Sequence, residues 1–217
     1  MIVNQSYDKQ RGGSYDLAMF DPPFHIWEDI KWKPEARTYV CFTNFQNRHH
    51  VTKLMGERPR FEMIWYFRDG RWVSHKMPRH THEHILIYGE LNYEAYTGPK
   101  IMDRTPVKRS RGGIGTDKNL GPSFYVPRER KLLNSVIEVP RSSKNRLGLW
   151  GKPEALVLPI MQWLCNKGDT VWDGFAGSGT FGVCAARVGA DYFGAEINRQ
   201  TCESANRRIE AEGQKLF

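Results

Sequence analysis

The sequence predicts an α/β protein whose mostly parallel sheet carries helices on both faces. Three observations predict it. The C-terminal third alternates strand and helix signals, an apolar run near the N-terminus stops at a proline corner, and a glycine-rich turn joins a later strand to a helix. At 217 residues, 40% hydrophobic and 26% charged, the chain can bury one sizeable core and is too short for two ordinary domains, so it reads as one domain over 1–217. The sequence shows no basic-then-apolar leader and no apolar run near the roughly 20 residues that span a bilayer, so a soluble, cytoplasmic chain without a membrane partner is expected. Cys41, Cys165, Cys184 and Cys202 form no Cys-x-x-Cys pair, so reduced thiols are expected rather than a zinc knuckle or a disulfide framework.

In chain order, Tyr15 to Phe20 is a largely apolar run that ends at Asp21-Pro22-Pro23-Phe24, as a buried strand ends at a rigid turn. Thr38 to Thr43, Glu62 to Phe67 and His84 to Tyr88 read as further strands. From residue 97 to 148 the periodicity fades into loop-like sequence rich in glycine and proline. That stretch holds twelve Lys/Arg against four acids, and its excess equals the whole chain's net charge of +8, a balance that attracts polyanions. Pro153 then suits the first residue of a helix running to about Cys165. A strand from Thr170 to Asp173, a helix from about Thr180 to Val188, a strand from Tyr192 to Ile197 and a helix from about Arg199 complete the alternation.

Two segments carry chemistry. Asp173-Gly-Phe-Ala-Gly-Ser-Gly-Thr180 joins a strand to a helix, and Glu196 lies near the end of the next strand. Its glycines let a ligand approach the backbone, and the helix N-terminus offers free N–H groups to a carboxylate or phosphate. Gly177-Ser-Gly179-Thr-Phe-Gly182 also fits the G-x-G-x-x-G pattern of dinucleotide enzymes. Asp173, however, would repel a diphosphate and suits a ligand bearing an ammonium group. S-adenosylmethionine has that ammonium, a carboxylate for the loop and ribose hydroxyls for Glu196. The expected cofactor contacts are therefore Asp173, Phe175, Ala176, Gly177, Ser178, Gly179, Thr180 and Glu196. A tight connection without a ligand is the alternative.

The second segment is Asp21-Pro22-Pro23-Phe24. Neither proline has an N–H, so the corner offers acceptors only: the Asp21 carboxylate and the carbonyls of Asp21 and Pro22. Such a corner can hold an –NH2 group. Exocyclic amines of bases are poor nucleophiles because their lone pair is delocalised. Accepting both N–H bonds favours a pyramidal nitrogen and stabilises the charge that develops on it. Phe24 would stack on a base flipped from the duplex. Alone, Asp-Pro-Pro also serves as a plain turn. Its pairing with the glycine loop points to chemistry.

Together the motifs resemble the DNA amino-methyltransferases of the permuted β class, in which Asp-Pro-Pro-Tyr/Phe precedes the cofactor motif. Ile2-Val-Asn-Gln5 resembles that family's adenine-side cofactor strand, with Asn4 or Gln5 where an acid often stands. His82 to Tyr88 resembles its His-Glu strand motif, and Gly151-Lys152-Pro153 its Gln-Lys-Pro segment, which adds Lys152 to the cofactor set. The resemblance implies a Rossmann-like methyltransferase sheet of about seven strands, the last antiparallel. It implies S-adenosylmethionine as cofactor, double-stranded DNA as partner, and transfer to a flipped base, adenine N6 foremost, in a prokaryotic or phage-infected cell, with or without a restriction partner. It also makes 97–148 the target-recognition segment, where Lys108, Arg109 and Arg111 would contact phosphates.

Other readings stay open at this point. Cytosine N4 uses the same chemistry. An RNA or protein amide methyltransferase could use a similar corner, and a catalytically silent DNA-binding module would explain the charge alone. His80, His82 and His84 alternate along a strand and could present three ligands on one face, but the reaction needs no metal and none is expected. Trp27 and Trp32 could line a base pocket, though core packing is the default for such residues.

Overall fold

The computed structural model describes residues 1–9, 12–71, 74, 76, 78–91, 107–108, 124–125, 133–141 and 151–214. Its strands are β1 (Ile2–Asn4), β2 (Ser14–Phe20), β3 (Glu35–Thr43), β4 (Phe61–Arg71), β5 (His80–Gly89), β6 (Val107–Lys108), β7 (Phe124–Tyr125), β8 (Val136–Glu138), β9 (Thr170–Asp173) and β10 (Asp191–Glu196). Eight of them form one sheet in the order β1-β10-β9-β2-β3-β5-β4-β8. All its neighbours pair parallel except β5, which is antiparallel to both β3 and β4. The expected antiparallel strand is thus fifth along the chain and sits inside the sheet.

The helices α1 (Arg48–Met55), α2 (Glu154–Leu164), α3 (Thr180–Val188) and α4 (Arg199–Gly213) complete an α/β/α sandwich. β2 shows why its sequence reads as a continuous apolar run. Leu17 and Met19 point into a core shared with Leu156 and Ile160 of α2, Phe181 and Cys184 of α3 and Ala205 of α4. Ala18 and Phe20 point the other way, against Trp27, Trp172 and the α1 residues Val51 and Met55. A strand covered on both faces has no polar side to alternate with.

Two differences from expectation lie in the same stretch. The sheet gains an eighth strand, β8, and the β6/β7 pair forms, all within the stretch expected to be loop-like. Ile64 to Tyr66 of β4 offer an unpaired edge, and Val136 to Glu138 pair with it in parallel. Three residues carry too little periodicity to announce a strand; the open edge selects them. Pro153 stands just before α2 in an extended conformation, and α2 continues through an internal Pro159.

The permuted order works because the chain's two halves meet at β2 and β9, with Leu17 opposite Val171 and Met19 opposite Asp173. Side chains pin the opposite end of this seam. Asp16 accepts hydrogen bonds from the Thr170 amide at 2.8 Å and its hydroxyl at 2.9 Å, while Arg37 reaches Asp169 at 2.9 Å. The Thr170 N–H, aided by Arg37, holds the Asp16 carboxyl below its ordinary value against some loss of solvation. A depressed carboxylate contributes stability above its unfolded pKa and loses it as pH falls through the folded one. Asp16→Ala should therefore cost about 1–2 kcal/mol at pH 7, modest because the site is partly solvated, and the deficit should shrink below about pH 4. Urea unfolding at both pH values measures it.

Candidate active site

Where the sheet reverses its winding, between β9 and β2, a cavity of about 870 Å³ opens at the carboxyl ends of the strands. Asp21, Pro22, Pro23 and Phe24 form one part of its wall, and residues 174 to 178 with Thr180 form another. The register explains the meeting. Met19 pairs with Asp173, so the residues that follow each strand emerge side by side.

On the glycine side, Gly179 takes a left-handed φ of +78°, and a Cβ there would lie 2.9 Å from Ala205 of α4. No side chain caps the N-terminus of α3, so its first N–H groups, beside the cavity residues Thr180 and Phe181, are left for a ligand acceptor. Glu196 is held at the end of β10 by N–H bonds from Gly177 at 3.0 Å and Asn198 at 2.8 Å, with lone pairs to spare for hydroxyls. Asn4 donates to the carbonyls of Glu196 and Ile197, both at 2.9 Å, which fastens β1 alongside the end of β10. Tyr7 stacks on Phe175 with ring centroids 5.0 Å apart, giving the same wall an apolar plane. An uncapped helix, a ribose-type acceptor and an apolar plane fit S-adenosylmethionine.

Asp173 is placed differently from the other predicted contacts. It is fully buried and does not line the cavity. The Tyr192 hydroxyl donates to it at 2.6 Å and the Phe175 N–H at 3.0 Å, so it anchors the start of the loop. Burial pushes its carboxyl up to about 7, against the pull of those two donors.

At the proline corner, the Lys152 ammonium donates to Asp21 Oδ1 at 2.6 Å and lies 3.3 Å from Glu83 Oε2. The Glu83 contact is an ion pair without hydrogen-bond alignment, and Oε2 is otherwise unsatisfied. Burial raises the Glu83 carboxyl, with Lys152 opposing. For Lys152, burial pulls its pKa down, but Asp21 and Glu83 more than compensate and the net shift is upward, so it stays a cation. Lys152 was expected on the cofactor side. Its backbone does run there, since a Cβ on Gly151 would collide with Ser178 Oγ, but its charge faces Asp21. Asn47 donates to the Phe24 carbonyl at 2.6 Å and steadies the corner.

Other predicted residues scatter. Trp27 is buried in the core, and Trp32 packs edge-on to Trp172 at 6.0 Å; neither lines the cavity. His80, His82 and His84 follow one another along β5, and His84 Nδ1 lies 2.7 Å from Glu62. Lys108 belongs to β6, with its side chain outside the described residues, as are Arg109 and Arg111. The four cysteines are buried and unpaired. Among the described residues no helix is long and apolar enough to cross a membrane.

Residues that motif reading passed over include Tyr7, His25 and Ile197 in the cavity wall. Another is Arg208, which donates to the Ser178 carbonyl at 2.9 Å and pairs with Glu154. Glu83 was visible as part of a motif but had no role attached.

The raised Asp173 has a stability consequence. Its unfolded counterpart ionises near pH 4, so between there and about 7 the folded state binds the proton more tightly and stability falls as pH rises. Asp173→Asn stays neutral throughout. The wild-type advantage over it should decline across that window, at most by about 1.4 kcal/mol per pH unit, and then level off. Denaturant unfolding from pH 4 to 8 gives the comparison; equal pH trends in both proteins would contradict it.

Comparison with known proteins agrees with this geometry. Residues 7–207 match the family described as DNA methylase, which groups N6 and N4 enzymes. The type II methyltransferase M.HpaI of Haemophilus parainfluenzae is 36% identical over 237 aligned positions, covering 92% of this chain and 69% of the relative. The DNA adenine methyltransferase YhdJ of Escherichia coli is 26% identical over 235, covering 91% and 76%. Among solved structures, the cytosine-N4-specific PvuII DNA methyltransferase gives a TM-score of 0.63 at 10% identity, covering 99% of this chain and 91% of that one. The M1.HpyAVI–SAM complex gives 0.60 at 18% identity, covering 94% and 91%. At such identities the structural likeness speaks for the fold. Because the family match runs from β2 into α4, through nearly every element that builds the cleft, the chain belongs to the N6/N4 DNA methylase family, whose methyl donor is S-adenosylmethionine.

Proposed function

We propose that this chain methylates the exocyclic amino group of a flipped base in double-stranded DNA, with adenine N6 as the target. The observation that carries the reading is the convergence of an acceptor-only proline corner and a glycine-rich loop on one cavity. Asp rather than another residue before Pro-Pro, and the adenine specificity in the name of the E. coli relative, favour adenine. Residues 97 to 148 would recognise the target, with Lys108, Arg109 and Arg111 contacting phosphates.

In this reading the bound donor supplies an electrophilic methyl group, held by Glu196, the loop from Phe175 to Ser178 and the first turn of α3 at Thr180. Asp173 and Gly179 would support that loop from behind. Asp21 and the adjacent carbonyls accept the amino N–H bonds, favour a nucleophilic lone pair and stabilise the positive nitrogen until its proton leaves. Pro22 and Pro23 keep competing N–H donors out of the corner. Phe24 stacks on the base. Lys152 acts as a positioning residue, because its ammonium donates to Asp21 Oδ1 at 2.6 Å and lies 3.3 Å from Glu83, which fixes where the Asp21 side chain points.

Long-read sequencing of DNA from cells expressing the protein should show methylated adenine in a defined context. Methylated cytosine would overturn the adenine assignment, and unmodified DNA the whole proposal. Asp21→Ala should lower transfer about a thousandfold while donor binding, read by calorimetry, stays near wild type. Lys152→Met should lower it about a hundredfold. It should also move the acid limb of the pH–rate profile to higher pH, since the buried Glu83 carboxyl loses the cation that opposes its upward shift. An unmoved limb would argue that Lys152 is only structural.

A further inference from the structure

The loop from Asn44 to Asn47 leaves the carboxyl end of β3, the strand beside β2, just past the level at which Phe20 pairs with Cys41. Two bonds hold it. The Asn47 side chain donates to the Phe24 carbonyl at 2.6 Å, and the Asn47 amide donates to Asn44 Oδ1 at 2.9 Å. The loop is therefore fastened to the proline corner itself. At its tip Phe45 is 79% exposed. The other exposed phenylalanines among the described residues, Phe61 at the start of β4 and Phe193 within β10, belong to other parts of the sheet.

An open groove of about 930 Å³ adjoins Phe45, with Arg48, His49, Lys53 and Arg58 on its walls against a single acid, Glu57. Arg48 is shared with Glu62 at 3.1 Å, whereas no ion pair to Lys53 or Arg58 occurs among the described residues. A cationic groove beside one bare aromatic suits a polyanion that also presents flat apolar faces, which is a nucleic acid.

Base extrusion creates a specific need. It leaves a gap in the stack, and the duplex closes again unless something flat and apolar fills it. The filler must be exposed, held rigidly and close to the mouth of the base pocket. Phe45 meets all three conditions, since it is two residues, at most about 7 Å of chain, from the asparagine bonded to Phe24.

We infer that Phe45 is the wedge that fills the place of the extruded base, while the groove along α1 seats the phosphate backbone of the flanking duplex. The inference rests on the methyltransferase reading and adds a surface outside the 97–148 segment. Lys53 and Arg58 supply charge without reading sequence, and Phe45 supplies the stacking plane.

The test uses duplex oligonucleotides carrying the site mapped by sequencing, in a fully paired form and in a form with an abasic position opposite the target, where extrusion costs little. Phe45→Ala should lower kcat/KM about tenfold on the paired duplex and less than about twofold on the abasic one, with Phe45→Trp restoring the paired rate. The double variant Lys53→Gln/Arg58→Gln should reduce the slope of log affinity against log salt by about 2 for both duplexes. Equal losses on both duplexes, or full activity on the paired one, would overturn the wedge; an unchanged salt slope would overturn the groove. Failure of the wild-type protein to methylate either duplex would reject the methyltransferase reading and this one with it.

Discussion

The parallel ladder between β2 and β9 fixes the geometry of everything above it. It joins segments more than 150 residues apart, Asp16 to Thr170 at one end and Met19 to Asp173 at the other. A one-residue slip in this seam would turn Leu17 and Met19 from the helix-covered core to the opposite face and misalign the two loops beyond the strands. The cleft is thus a product of register. Its walls are ordinary strand-to-loop exits, and they face each other because the ladder below them leaves no other arrangement.

Within that cleft the electrostatics divide. The glycine side presents N–H groups and a helix N-terminus, with Glu196 as its cavity-lining carboxylate and Asp173 withdrawn behind it. The proline side presents carbonyls and a carboxylate, with Lys152 as the balancing cation. Burying one lysine against two carboxylates is costly in a low-dielectric setting, and one oxygen of Glu83 stays without a hydrogen bond. A core selected for stability alone would replace such a cluster with apolar residues. Its place in a cavity wall marks it as a functional feature rather than a stabilising one.

The chain's aromatic residues complete the division of labour. Phe20, Trp27, Trp32 and Trp172 pack together beneath the cleft, with Phe20 and Trp172 5.0 Å apart, and hold the strand ends rigid. Phe175 and Tyr7 extend that packing into the cavity wall. Tryptophans that could have served a base pocket are spent on the floor. Phenylalanines remain at the proline corner, Phe24 half-buried in the cavity wall and Phe45 exposed on the neighbouring loop.

The features that rest on local rules can be read from the residues alone. Apolar runs identified β2, β3, β4 and β5, glycine spacing identified the loop before α3, and the missing N–H groups of Pro22 and Pro23 identified an acceptor corner. These are legible because periodicity, positive φ and lost donors are properties of a few adjacent residues. Other features emerge with the closed fold: the direction of Lys152, the sealing of Asp173 beneath the loop, the bracing of Ser178 by Arg208, and the conversion of three residues of a basic stretch into β8. Each of those outcomes depends on partners 19 to 131 residues away. A side chain's direction and burial follow from the elements that close around it, and no local pattern carries that information.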